Sequence, residues 1–340
     1  MDAYWPMMKS AALITAGELG IFAALGQGPL MVEELAGRLD ASVYGVDRLC
    51  AVLVQTGYLE RTPENLLRNS AHAQAWFSQT GSCDLNSGLR WFAHAWRLMS
   101  GLRQAVIEGK PKTALWDLMP ANPDMGAAFA AYMKDYATSV VDDVQRAIEL
   151  SPDARTLLDV GGSHGFHAAA FCRRSPGLNA VIYDLPVSLI HTRTLIAGWG
   201  LAGRISCLEG DVLRDAIDGT YDVITYFLVA HNQTDAGNAG ILRKLAAALN
   251  PGGALFLYEY VSEPDARLSV SSSGALAAAF DLTLLVETGT KTHTAERIQA
   301  WMREAGLVNI RRTDLQPAVK GSIFCAQRPK AEQAYALDAC

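Results

Sequence analysis

At 340 residues the chain is long enough for about two domains, each with its own core. Half of its residues are hydrophobic and 19% are charged, which excludes a disordered chain. A formal charge of −6 without a dense Lys/Arg run argues against a nucleic-acid partner, because phosphates need a basic face.

From residue 10 to about 109 the chain reads as helices. Apolar residues at helical spacing over 11–25 stop at Gly26-Gln27-Gly28-Pro29, a strong breaker. Two shorter helices follow over 32–39 and 43–55, and 57–60 reads as the first strand of a small wing. A helix–turn–helix with a wing is one way to bind DNA. Here the would-be recognition segment, 44–54, carries Asp47 and Arg48 among Val46, Leu49, Val52, Leu53 and Val54. Such an apolar helix suits protein contact rather than phosphate. The aromatic-rich segment 89–118 is read as helix packing at a domain junction, and 129–148 as a linking helix. These shifts divide the chain into a helical domain (1–109), linking helices (110–150), a second domain (151–328) and a tail (329–340).

From residue 156 the pattern changes to strands alternating with helices. Strand-like runs fall at 156–160, 180–183, 205–208, 222–227, 254–259, 308–313 and 322–326, with helices between them, including 236–249 and 294–305. The first five alternate as βαβ units require, giving a parallel sheet covered on both faces. The last two are close together, with Pro317 and Gly321 between them, and are expected to pair antiparallel at one edge. The first strand ends in Asp159 and runs into a turn of small residues, Gly161-Gly162-Ser163-His164-Gly165, before a helix over 164–174. The second ends in Asp184, ~20 residues on, where such folds place a carboxylate against a ribose. Asp211 follows the third.

Three motifs together, 159–165, Tyr183-Asp184-Leu185-Pro186 and Glu209-Gly210-Asp211, resemble the S-adenosylmethionine (SAM) site of class I methyltransferases. More narrowly, the chain resembles the small-molecule O-methyltransferases with an N-terminal winged-helix dimerisation domain, over roughly residues 10–328. The resemblance implies a Rossmann-like, mostly parallel seven-stranded sheet, SAM as methyl donor, a small aromatic acceptor, and a homodimer. It assigns Asp159, Gly161, Gly162 and Ser163 to the methionine end of SAM. Asp184 and Leu185 fall to the ribose, and Asp211 with Val212 to the adenine; the alternative for Asp184 and Asp211 is that they are ordinary strand-end acids. Tyr226 and Phe227, ending the fourth strand, are placed on the cofactor side, where they either flank the sulfonium or fill the core.

The same resemblance puts the general base at His231. An imidazole titrates near neutrality and is suited to take a hydroxyl proton. The chain departs from the family pattern at Ser163, where a third glycine is usual, and at Asn232-Gln233, where Asp-Trp is usual. It also has Thr292 where a glutamate that orients the base is expected. Glu259, Asp281 and Glu287 are the acids available to replace it. His293 precedes an expected helix cap, Thr294, and is assigned a structural role. No metal site is expected, since the histidines are scattered.

A C- or N-acceptor, or a SAM-binding fold used for another reaction, are the alternative functions. No apolar stretch is long enough for a bilayer span and the N-terminus lacks a signal-peptide layout, so a cytoplasmic location without membrane association is expected. The six cysteines (Cys50, Cys83, Cys172, Cys207, Cys325, Cys340) form no C-x-x-C pair and are expected as reduced thiols.

Overall fold

Gly20 breaks the first helix in two. The stretch expected as one helix over 11–25 forms α1 (Tyr4–Leu19) and α2 (Ile21–Gly26). Between them Gly20 takes φ 76°, a left-handed conformation that costs glycine little and other residues more. The computed structural model describes residues 4–78, 85–262, 272–315 and 321–330. Cys83, Pro317, Cys340 and the tail from 331 onward lie outside the described residues. The chain divides into two units, Met1–Ser100 with Asn122–Ser139, and Gly101–Ala121 with Val140–Cys340.

The first unit is mainly helical. After α2 come α3 (Val32–Arg38) and α4 (Val43–Gln55), then a two-stranded antiparallel wing, β1 (Leu59–Arg61) with β2 (Leu67–Asn69). Helices α5 (Ala71–Phe77) and α6 (Asn86–Leu98) follow. Ser42 caps α4 by accepting from the Gly45 N–H, and the helix buries Val46, Cys50 and Leu53, the spacing of one helical face. They join Phe22, Leu35, Leu59 and Leu67 in one apolar cluster. The outer face of α4 exposes Val43 and Tyr44, the latter 76% accessible. Arg48 and Arg61 both pair with Asp47, so this face presents one ring and methyls rather than free cationic charge.

In the second unit, α7 (Leu102–Glu108) and α8 (Leu115–Leu118) precede the end of α9 (Pro123–Ala147), a helix shared with the first unit. Its sheet has seven strands: β3 (Thr156–Val160), β4 (Asn179–Asp184), β5 (Ile205–Glu209), β6 (Tyr221–Phe227), β7 (Leu249–Glu259), β8 (Val308–Asp314) and β9 (Ser322–Gln327). Their order is β5-β4-β3-β6-β7-β9-β8. The first five are parallel, and β9 runs antiparallel to both β7 and β8, as the close spacing of the last two strands implies. Helices α10 (Phe166–Arg174), α11 (Thr192–Gly198), α12 (Asp235–Ala248), α13 (Ser272–Glu287) and α14 (Ala295–Glu304) complete the unit.

One layer of the core lies between the sheet and helices α12 and α14, where Tyr226, Leu257, Phe324, Leu245, Ile298 and Trp301 form a continuous cluster. Each such large side chain contributes roughly 1.5–3 kcal/mol by leaving water. The strand order reverses between β3 and β6, and ligands in open α/β sheets occupy the crevice at the carboxyl ends of strands flanking such a reversal. Asp159, Asp184 and the turn carrying His231 all fall at that edge.

Candidate active site

The turn after β3 is built around two carboxylates. Asp159 is 1% exposed; its Oδ1 accepts from the Thr225 hydroxyl at 2.7 Å and its Oδ2 has no hydrogen-bond partner. A Cβ on Gly162 would stand 2.5 Å from that Oδ2, so glycine is needed there for the approach of backbone to carboxylate. Gly161 holds φ 73°. Ser163 takes φ 36°, a strained value for a residue with a side chain. Two contacts hold it: its N–H donates to Asp184 Oδ2 at 2.9 Å, and its carbonyl accepts from Thr192 Oγ1 at 2.6 Å.

Asp184 thus ties the turn to the end of β4. Its Oδ1 also accepts from the Leu185 N–H at 2.7 Å, and the Ser188 hydroxyl bonds the same carboxylate, which leaves about one of its four lone-pair sites open. Burial raises Asp184 and Asp159 alike to about 6, with Asp184 adding to the rise at Asp159. Asp211 lies after β5, half-buried. It accepts from the Leu213 N–H and meets Arg214 at 3.4 Å, while Val212 packs against the core cluster.

Tyr226 and Phe227 point to opposite faces of β6, as strand alternation requires. Tyr226 is wholly buried under α12 and donates its hydroxyl to Asn238 Oδ1 at 3.0 Å; of its two possible placements it takes the core. Phe227 meets His167 of α10 edge-to-face at 5.2 Å. His167 is buried, its Nδ1 has no hydrogen-bond partner, and desolvation lowers it to about 4, so it is neutral.

Beyond β6 the chain turns sharply. Leu228 adopts φ 55°, an outlier for a bulky residue, and the short 3-10 turn Ala230–Asn232 follows. This turn presents His231, buried to 8% exposure, and is fixed from three directions. Glu259, fully buried at the end of β7, accepts from His231 Nδ1 at 2.7 Å and from the His231 backbone N–H at 3.0 Å. Thr290 donates its hydroxyl to the His231 carbonyl at 2.6 Å. His293 sits behind the turn, its Nε2 3.2 Å from the carbonyls of both Ala230 and Gln233 and its ring against Trp301. Burial lowers His293, and its contacts make it a brace for the turn. Thr294 caps α14 by accepting from the Arg297 N–H.

With Nδ1 held by Glu259, His231 keeps Nε2 free of hydrogen bonds among the described residues. Of the three candidate acids, Glu259 is the one bonded to the imidazole. Asp281, by contrast, accepts from both the backbone and the hydroxyl of Thr292, at 2.8 and 2.6 Å. Two neighbours of His231 were not picked out from the sequence: Thr290, and Phe280, whose ring packs edge-on to the imidazole at 5.3 Å. No sequence signal singles out Phe280, because α13 is apolar nearly all round. A cavity of about 990 Å³ opens beside Asp281, Leu285, Thr292 and His293, and its lining includes neither His231 nor Glu287.

The family model of the O-methyltransferase domain matches residues 100–308, and that of the O-methyltransferase dimerisation domain matches residues 3–85. The chain belongs to the O-methyltransferase family. It is a SAM-dependent methyltransferase. Among curated relatives, a 3-hydroxy-5-methyl-1-naphthoate 3-O-methyltransferase of Streptomyces sahachiroi is 26% identical over 310 residues, 90% of this chain and 88% of the relative. The aclacinomycin 10-hydroxylase RdmB of Streptomyces purpurascens is 28% identical over 327 residues, 88% of this chain and 82% of its own. Human N-acetylserotonin methyltransferase, solved in complex with SAM, superposes with a TM-score of 0.85 at 21% identity, over 97% of this chain and 96% of that one, which is a likeness of fold.

Proposed function

We propose that the chain moves the methyl group of SAM to a hydroxyl of a small aromatic metabolite, with His231 as general base and Glu259 as the residue that orients it. The observation that carries this reading is the His231–Glu259 pair at the carboxyl edge of the sheet, next to the turn held by Asp159 and Asp184. The acids fit SAM, which has no phosphate to neutralise but offers a ribose diol, an adenine amino group, a sulfonium cation and the α-ammonium of a zwitterionic methionine tail. Asp184 would hold the diol with its remaining acceptor capacity, the unpartnered Oδ2 of Asp159 would face the methionine end with the small-residue turn at Gly161, Gly162 and Ser163, and Asp211 with Val212 would meet the adenine. Phe227 supplies an apolar wall.

When bound, SAM supplies an electrophilic methyl on its sulfonium. The protein's part is proton handling and alignment. Glu259 accepts from Nδ1–H, fixing the tautomer in which Nε2 is the acceptor, and Nε2 takes the proton of the attacking hydroxyl. The buried Glu259 carboxylate then stabilises the imidazolium that forms, the role a carboxylate plays behind a histidine base. Holding both reactants in line supplies much of the remaining acceleration.

The dimerisation domain and the exposed Val43, Tyr44 and Val52 on α4 support a homodimer, and a cytoplasmic enzyme with the domain limits read from the sequence is part of the same proposal. Among the described residues, no helix is long and apolar enough to cross a membrane. The hydroxylase relative favours testing one alternative, a SAM-binding fold doing other chemistry. Both readings are separated by one assay: the purified chain is given SAM and a panel of hydroxyaromatics, and S-adenosylhomocysteine is measured with the methylated product. Stoichiometric release is expected. Conversion of an acceptor without S-adenosylhomocysteine would rule the proposal out.

A further inference from the structure

One acid near His231 has no part in the mechanism above. Glu287 is the last residue of α13. Residues seven apart share a helix face, and seven positions earlier Phe280 lays its ring against the His231 imidazole at 5.3 Å. Three positions later Thr290 bonds the His231 carbonyl at 2.6 Å. Both ends of the segment are therefore anchored on His231, with Glu287 between them and within electrostatic reach of the imidazole.

The neighbouring acids differ from it. Glu259 accepts three hydrogen bonds, from His231 Nδ1, the His231 N–H and the Tyr260 N–H. Asp281, about 120° around α13 from Glu287 by helical period, is engaged by Thr292. The Glu287 carboxyl, only partly accessible, makes no hydrogen bond or ion pair among the described residues. Its oxygens reach solvent rather than a protein donor, so this acid beside a base is open to a donor that a ligand brings. Burial raises Glu287 to about 7, and the nearby His231 opposes that rise.

We propose that Glu287 selects the acceptor. It takes a hydrogen bond from a second protic group, a hydroxyl or an amine, carried next to the hydroxyl whose proton goes to His231. The acceptor is then an aromatic ring with two adjacent protic substituents. This inference rests on the methyl-transfer reading above.

The test uses the full-length protein, SAM and three matched probes in one-pot competition: 2-naphthol, 2,3-dihydroxynaphthalene and 3-amino-2-naphthol. Products are counted by mass spectrometry. At least one adjacent-protic probe is expected to exceed 2-naphthol by about tenfold or more in kcat/KM, the size of one hydrogen bond to a charged group. Which probe leads distinguishes a hydroxyl from an amine as the natural partner. In Glu287→Leu the ratio should fall to within about threefold of one; Glu287→Gln, which keeps one carbonyl acceptor, should lie between. A wild-type ratio near one, or a ratio that survives Glu287→Leu, overturns the inference and leaves methyl transfer standing. Absence of transfer to all three probes, in protein that still binds S-adenosylhomocysteine, sinks both.

Discussion

The turns after β3 and β6 lie at the same edge of one sheet yet solve opposite problems. At the first, charge is left unsatisfied: Asp159 Oδ2 has no partner, Asp184 has acceptor capacity in reserve, and burial has pushed both up to about 6. At the second, the turn of His231 is held by Glu259, Thr290 and His293, leaving Nε2 as the free atom. A cofactor site keeps valences open for a ligand that brings its own donors. A proton-transfer site must fix one side chain before the acceptor arrives. The contrast shows that strained backbone serves both, through Ser163 in one and Leu228 in the other.

The sharpest way to break the contrast is to empty the second turn of its proposed base. His231→Ala should lower kcat by about 10²- to 10⁴-fold while S-adenosylhomocysteine affinity stays within about twofold, measured by steady-state kinetics and calorimetry. Equal loss of affinity would mean that the two turns are not separable.

The converse change comes next. Asp184→Asn leaves an oxygen for only one of the Ser163 and Leu185 N–H groups, sets an amide NH2 against the other and removes the charge, and should weaken S-adenosylhomocysteine binding by about 10- to 100-fold. The variant's kcat at saturating SAM should change far less. An unchanged dissociation constant would remove Asp184 from the cofactor site.

A pH series sharpens the comparison without mutation. The free acids at the first turn are ionised above about 6 and protonated below it. A protonated Asp184 has lost acceptor capacity, so affinity for S-adenosylhomocysteine should be full above pH 7 and fall as pH drops through 6, by up to ~10-fold per unit. Calorimetry between pH 5 and 8 reads this directly. A flat profile would show that neither carboxylate must ionise for binding.

The smallest effect tests the strain itself. Ser163→Gly relieves φ 36° and should raise stability by about 1 kcal/mol in a denaturant titration. A loss of stability would mean that the serine side chain contributes more than its backbone costs.

Much of this was legible in the sequence. The seven strands fall on the apolar runs of four to six residues, the first five alternating with helical periods, though β7 starts five residues ahead of its run. Asp159, Asp184 and His231 stand out as polar residues at or just beyond strand ends. The winged helical half was legible as well, except for the break at Gly20, where one glycine within an apolar run is compatible with either a continuous helix or two. The choice of Glu259 over Asp281 and Glu287 was not legible. It depends on the parallel register that sets Phe227 against Tyr258 and so brings the end of β7 beside the His231 turn, and local residues do not encode register. Tyr226 could not be assigned either, because a tyrosine ending a strand suits core and site equally until the covering helix supplies Asn238. α13 hid the face it turns to His231, since Ser272–Glu287 is apolar nearly all round and its periodicity selects no side.

The most direct test is a crystal structure of the protein with S-adenosylhomocysteine bound. The account predicts the ribose hydroxyls on Asp184 and the sulfur facing the space bordered by His231 Nε2, with the His231–Glu259 bond intact. Cofactor bound away from Asp184, or a His231 turned from it and bonded elsewhere, would contradict it.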